Sequence, residues 1–312
     1  MKPLRIAIIG FGKIAADQHV PAIAAHPRLE LVATVSRQSS GPSSLPSFTS
    51  HEELLRAGLD LEAVAITTPP GPRYDIARDC IEAGLHCLLE KPPTVTLSEI
   101  EDLACLAAGK QVSLFTTWHA QHNPAVTAAA RALAGKRVAS MKIVWQEDVR
   151  KWHPGQQWIW EPGGFGVFDP GINAFSIATK IFPGPLFVRD AVLKLPEGRA
   201  QPIAAEISLF SPVADGDITC SLDWRRSEGE EWTIDVQTND DLMVRLSDGG
   251  SKLEIGGELK AAEAEGEYRD IYGQFIDLID ARRSLVDVAP LRLVADAFLL
   301  ARQEQVEPFA DS

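Results

Sequence analysis

The first 119 residues alternate between short, consecutively apolar runs and stretches whose apolar residues recur every three or four positions. The runs are 5–10, 31–36, 63–67, 86–91 and 112–119; helical spacing marks 16–25, 50–58, 73–84 and 97–108. Strands apolar on both faces, alternating with helices, predict a parallel, doubly wound α/β sheet. Beyond residue 137 the period changes to two. Met141, Ile143 and Trp145 alternate with Lys142, Val144 and Gln146, and further short runs at 218–224, 232–238, 242–247 and 252–256 are separated by Gly, Asp and Asn turns. These predict an α+β domain on a mostly antiparallel, open sheet. Closing helices are expected at 268–282 and 291–303. The expected division is 1–120 and 121–312, with the 291–303 helix a candidate to pack back on the first domain.

The first strand runs into Gly10-Phe11-Gly12-Lys13-Ile14-Ala15, and a helical stretch follows. Strand, G-x-G-x-x-A and helix is the order in which a nucleotide pyrophosphate can rest on backbone N–H groups. Gly10 permits the tight turn, Gly12 leaves no Cβ in the path of the phosphate, and small Ala15 lets helix approach strand. Lys13 and Ile14 are expected in the same cofactor contact. The second strand ends at Ser36-Arg37, and no acid occurs between Glu30 and Glu52. An NAD-preferring site wants a carboxylate there for the ribose hydroxyls. A serine donor and an arginine fork suit a 2′-phosphate instead, so the expectation is NADP preferred and NAD tolerated. A merely solvated loop arginine is the alternative.

In open α/β sheets ligands bind beyond the carboxyl ends of the strands. Three such ends carry chemistry: Thr67-Thr68-Pro69-Pro70, Glu90-Lys91-Pro92-Pro93 and Trp118-His119. Thr68, Pro69, Pro70, Glu90 and Lys91 are expected to face the cofactor. Lys91 precedes two prolines, so its backbone is held extended and its amine has a fixed direction.

Composition narrows the class. A chain of 312 residues suits two domains, and its formal net charge of −13 argues against nucleic acid or an anionic membrane as partner. The four cysteines show no C-x-x-C pair and no histidine at zinc spacing. No metal site is expected, and the cysteines read as core thiols of a reducing, cytoplasmic compartment. No stretch approaches membrane-spanning length.

"GFGKIA", "EKPP" and "GGFGVFDPGIN" resemble the glucose-fructose oxidoreductase/inositol dehydrogenase (Gfo/Idh/MocA) family. "DQHVPAI", "TWH", "EDVRKWHPGQQWIWEPGG" and "PLRLVADAF" resemble its bacterial D-galactose and L-arabinose 1-dehydrogenases. The resemblance implies a Rossmann domain and oxidation of an aldopyranose at C1 to its lactone, by hydride transfer to a nicotinamide. It also implies a dimer through the open face of the second-domain sheet. The family's usual motif places a His four residues after its Asp; this chain has Asp169 and Asn173. Spacing of four puts both side chains on one helix face. Asn173 cannot act as a base, which leaves Asp169, Lys91 or a water they share to take the hemiacetal proton. Asp169 followed by Pro170 also reads as a helix N-cap.

Sugar readers are expected at His119, Glu147, Trp152, His153 and Trp232, besides Asp169 and Asn173. Glu147 continues the covered face of the Met141 strand by period two, and a carboxylate there needs a partner. Two other readings stay open: a non-catalytic NADP-dependent sugar sensor, and a glycoside hydrolase with tightly held NAD. The sequence does not choose between D-galactose and L-arabinose.

Overall fold

A computed structural model describes residues 2–37, 41–262 and 266–310. The chain divides into two compact units, Met1–His119 with Gly266–Val288 and Ala120–Glu265 with Ala289–Ser312.

The first unit opens with β1 (Leu4–Ile9), a five-residue π-helical turn (Ala15–His19) and α1 (Val20–Ala25). It continues through β2 (Leu29–Val35), β3 (Ser47–Phe48), α2 (His51–Arg56), β4 (Ala63–Ile66), α3 (Arg73–Glu82), β5 (His86–Leu89), α4 (Leu97–Lys110) and β6 (Leu114–Thr116). All six strands are parallel, in the order β3-β2-β1-β4-β5-β6. The order reverses between β1 and β4, so the loops after these two strands flank the switch point at which open α/β sheets bind ligands. The helix expected over 16–25 is interrupted: a π turn comes first, and it brings His19 wholly into the core. Single π turns inside helices concentrate at functional sites.

The second unit contains α5 (Pro124–Leu133), β7 (Val138–Gln146), α6 (Val149–Trp152), α7 (Phe168–Ile181), β8 (Phe187–Pro196), β9 (Ala204–Phe210), β10 (Ile218–Asp223), β11 (Glu231–Thr238), β12 (Met243–Ser247), β13 (Lys252–Ile255) and β14 (Glu258–Ala262). Then α8 (Glu267–Asp280) completes the first unit, and α9 (Ala289–Leu300) and β15 (Arg302–Val306) close the second. Its sheet has nine strands, ordered β14-β13-β12-β11-β7-β10-β9-β8-β15. Two of its pairs are parallel, β7 with β10 and β8 with β15; the others are antiparallel. Gly171 of α7 shows how closely helix meets sheet, since a Cβ there would stand 2.6 Å from a Leu222 methyl of β10.

Two expectations fail. The helix that joins the first unit is α8 and not 291–303. Tyr268, Ile271, Tyr272, Phe275 and Ile276 of α8 pack on Ile6, Ile8, Ala63, Ala65, Leu88 and Phe115, while α9 ends at Leu300 and its chain continues as a strand. Five strands, β3, β8, β9, β14 and β15, lie where none was expected. In β8 a register shift between Val188 and Asp190 breaks the period-two pattern; β14 and β15 are sheet edges with polar, mostly exposed sequences.

Candidate active site

The glycine loop is held by backbone bonds and one threonine hydroxyl. Gly10 N–H and Phe11 N–H both donate to the Val35 carbonyl, and Thr67 Oγ1 donates to the Gly10 carbonyl at 2.7 Å. Gly10 has φ +101°, and a Cβ on it would lie 2.5 Å from Thr68 N. Only glycine fits there. At Gly12 the nearest atom to a Cβ would be the Gly10 carbonyl oxygen, at 4.0 Å. Its absence of side chain answers no need of the protein itself and leaves an open cradle over the loop. Thr68 Oγ1 is buried without a hydrogen-bond partner in the protein. These two observations fit the pyrophosphate and nicotinamide ends of a dinucleotide. Ser36 ends β2 half-buried and Arg37 is exposed. Lys13 is ion-paired with Asp17 and almost fully exposed, Ile14 and Pro69 are exposed, and Pro70 is buried.

Glu90 departs from expectation. Its carboxylate is turned into the core and accepts from Tyr268 Oη at 2.7 Å, His19 Nε2 at 3.2 Å and the Lys91 N–H at 2.9 Å. Burial alone would push this carboxyl up. The His19 hydrogen bond, the imidazoles of His19 and His119 and the Tyr268 hydroxyl outweigh it and hold the carboxyl well below the usual range. Since the ionised group only accepts, His19 donates through Nε2, and its Nδ1 meets Tyr272 Oη at 2.7 Å. Burial pushes both tyrosine hydroxyls far up, so they stay protonated.

Arg73, buried at the start of α3, donates to the carbonyls of Glu90, Pro92 and Thr68. The peptide that joins Glu90 to Lys91 is therefore gripped at its carbonyl by Arg73 and at its N–H by the Glu90 carboxylate. His119 pairs with Glu267 through Nδ1 at 2.9 Å and stacks on Tyr268. Burial would lower this imidazole, but the Glu267 hydrogen bond and charge raise it above its ordinary value. Neither His19 nor Arg73 is marked by sequence: the partners of His19 lie on distant segments, and those of Arg73 are backbone carbonyls, which every residue carries.

In the second unit Asp169 is not an N-cap. Helix α7 starts at Phe168 with Val167 as its cap, so Asp169 lies in the first turn, 4% exposed. The capping role is thus unfilled by this carboxylate, while the helix dipole still favours a negative charge there. His153 Nε2 lies 3.3 Å from Asp169 Oδ2. Gln156 Oε1 accepts from Trp158 Nε1–H at 3.0 Å and lies 3.3 Å from His153 Nδ1. An indole only donates, so that atom is an acceptor and His153 carries its proton on Nδ1 toward it. One turn beyond Asp169, Asn173 Oδ1 is buried with no hydrogen-bond partner in the protein.

Glu147 is buried as period two requires. Its oxygens, expected to read a sugar, each receive an indole N–H: Oε1 from Trp224 at 3.3 Å and Oε2 from Trp232 at 2.9 Å. The carboxylate thereby fixes the edges of two rings. Trp232 stacks on Trp145 at 5.9 Å and meets Trp152 at 5.6 Å between centroids. Trp145, Trp160 and Trp224 are core; Trp152, with 45% of its surface exposed, and half-buried Trp232 form the accessible aromatic surface. Among the described residues no cluster of His, Cys, Asp and Glu could hold a metal ion, and no helix is long and apolar enough to cross a membrane.

Comparison with known proteins places the chain. Residues 4–117 match the model of the GFO_IDH_MocA oxidoreductase family, NAD-binding Rossmann fold. A galactose 1-dehydrogenase of Pseudomonas fluorescens is 42% identical over the full length of both chains. The crystal structure of a D-galactose-1-dehydrogenase from Rhizobium etli superposes with a TM-score of 0.93, at 46% identity and 99% coverage of each chain. A 3-ketoreductase from Actinomadura kijaniata, crystallised with TDP-benzene and NADP, shares the fold at 17% identity, with a TM-score of 0.83 over 98% of this chain and all of that one. With a dinucleotide cradle built on six parallel strands and a full-length relative at 42% identity, the chain belongs to the Gfo/Idh/MocA family of oxidoreductases.

Proposed function

We propose that this oxidoreductase is an aldose 1-dehydrogenase that oxidises C1 of D-galactose or L-arabinose, as the pyranose, to the lactone, with NADP preferred over NAD. The observation that carries the reading is the pair on α7: a buried carboxylate, Asp169, and one turn later a buried amide oxygen, Asn173 Oδ1, that the protein leaves without a partner. A buried polar atom without a partner is costly unless a ligand completes it, and a sugar hydroxyl is such a ligand. The two full-length relatives named for galactose support the substrate class.

Gly10, Gly12, Ser36, Arg37 and Thr68 would hold the dinucleotide, whose oxidised nicotinamide supplies the acceptor for the hydride of C1. Asp169 takes the proton of the C1 hydroxyl. Lys91 donates a hydrogen bond as negative charge develops on a sugar oxygen, and Asn173 orients a hydroxyl. The rings of Trp152 and Trp232 offer a flat apolar surface to the sugar face, and His119 offers a further polar contact. The lack of an acid after β2 supports the NADP preference. A homodimer through the open face of the nine-stranded sheet completes the proposal.

Absorbance of the reduced nicotinamide, followed with D-galactose, L-arabinose, D-fucose and D-glucose, tests the substrate class through kcat/KM. Asp169→Ala and Lys91→Ala should each lower turnover by about 10²–10⁴-fold, the usual range for a positioned proton acceptor or a donor to a developing oxyanion, and leave NADP binding in place. No reduction with any of these sugars, or a variant that keeps more than about a tenth of turnover, overturns the assignment.

A further inference from the structure

The bonds around Glu90 use groups for which the proposed chemistry has no direct task. His19, Tyr268 and Tyr272 are buried, and their polar atoms converge on one carboxylate or on the imidazole beside it. The packing has the form of a sandwich: Tyr268 lies edge-on to His19, with centroids 4.8 Å apart, and stacks on His119 at 6.0 Å. An apolar core would need none of these hydrogen bonds, and replacing polar groups by apolar ones of similar volume is often neutral for stability. What the network holds is the Lys91 amide, through Glu90 Oε2. It reaches this amide from the π turn that follows the glycine loop and from α8.

We propose that His19 and Tyr268 are positioning residues for Lys91: by orienting the Glu90 carboxylate they fix the peptide that carries Lys91, and His19 ties that peptide to the segment following the dinucleotide loop. Neither residue touches the reacting atoms. Their contribution is geometric, because a general donor displaced by about an ångström loses much of its effect on the reaction while binding is little changed. Tyr272 acts one step further out, holding the His19 ring by its Nδ1. The inference rests on the reading of Lys91 given above.

The test compares His19→Leu, His19→Gln, Tyr268→Phe and Lys91→Ala, each as the full chain. Leucine removes both hydrogen bonds of His19; glutamine keeps one donor and one acceptor. His19→Leu should lower kcat tenfold or more and Tyr268→Phe about fivefold. KM for the sugar and the dissociation constant for NADP should stay within twofold in both. His19→Gln should return kcat to within threefold of the parent. Without cofactor or sugar, hydrogen exchange of the Lys91 amide should speed up in His19→Leu and recover in His19→Gln. That amide is readily isolated, because Pro92 and Pro93 follow it and have none.

Parent-like kcat in Tyr268→Phe together with His19→Leu overturns the inference, as does a His19→Gln no better than His19→Leu, which would mean that ring volume alone matters. If His19→Leu does not fold, Tyr268→Phe decides, since it lacks a single oxygen. Lys91→Ala separates the two layers: if it remains active, the reading of Lys91 itself is wrong. If it is inactive while the His19 and Tyr268 variants run at parent speed, only the positioning role falls.

Discussion

The two glycines of the loop after β1 should respond to the same substitution in opposite ways. At Gly10, alanine meets two penalties. Its φ of +101° is a region that side chains with a Cβ rarely adopt, and the new Cβ would stand 2.5 Å from Thr68 N and 2.9 Å from the Thr67 carbonyl carbon. Both atoms are backbone, so β1 and β4 must separate locally. Strain at such a residue costs about 1–3 kcal/mol and overpacking a similar amount, which gives roughly 2–6 kcal/mol and a fall in melting temperature of about 5–15 °C. At Gly12 the nearest atom is 4.0 Å away. Alanine there should leave the melting temperature unchanged or slightly raised, because it restricts the unfolded chain. Its Cβ would instead occupy the cradle and keep a phosphate off the loop N–H groups. Loss of one hydrogen bond to a charged group, about 1.5–3 kcal/mol, weakens binding roughly 10- to 150-fold. Thermal unfolding with and without NADP, beside a fluorescence titration, reads both effects. A Gly12→Ala protein that binds NADP like its parent, or a Gly10→Ala protein that melts with it, refutes the reasoning.

Two further outcomes are expected. Arg37→Ala should raise KM for NADP and leave that for NAD unchanged, and Ser36→Asp should reverse the cofactor preference from about 10- to 100-fold in favour of NADP; equal weakening with both cofactors would show that the end of β2 does not read the 2′-phosphate. The His119–Glu267 pair should make stability depend on pH above 6.5. The folded-state imidazole is raised above its ordinary 6.5 by Glu267, so its contribution is full below 6.5 and is lost as pH rises through the raised value. Denaturation midpoints of the parent and Glu267→Gln, measured from pH 6 to 9, should therefore converge toward the alkaline end, and parallel curves would contradict the assignment.

The legibility of this chain in its sequence follows the range of the interactions involved. Gly10, Gly12 and the β1–α1 order are local, since a tight turn between strand and helix constrains residues within a few positions. Asp169 and Asn173 are legible for the same reason, one helical turn apart. The Glu90 carboxylate looked like part of the cofactor surface because its neighbour Lys91 is a natural candidate. What turns it inward are His19, 71 positions earlier, and Tyr268, 178 positions later, and no local pattern carries that pairing. Period two puts Glu147 on the covered face of its strand, but its donors Trp224 and Trp232 are contributed by chain beyond β10 and by β11. Strand β8 does not show in the sequence because a bulge spoils its alternation.

The return of α8 to the first unit also has a consequence for how the chain is made. A ribosome delivers β1 through β6 first, yet the helix that covers Ile6, Ile8, Leu88 and Phe115 leaves only after the 146 residues from Ala120 to Glu265. During that interval one face of the six-stranded sheet is covered only by the π turn and α1, and Glu90 and His19 lack their tyrosine partners. The larger segment of the second unit, Ala120–Glu265, is thus inserted within the first, and its synthesis delays completion of the unit that it interrupts. Ending translation at residue 119 leaves an apolar floor open to aggregation, whereas a chain that joins 1–119 through a short linker to 266–288 restores the missing layer and should be the smaller soluble species.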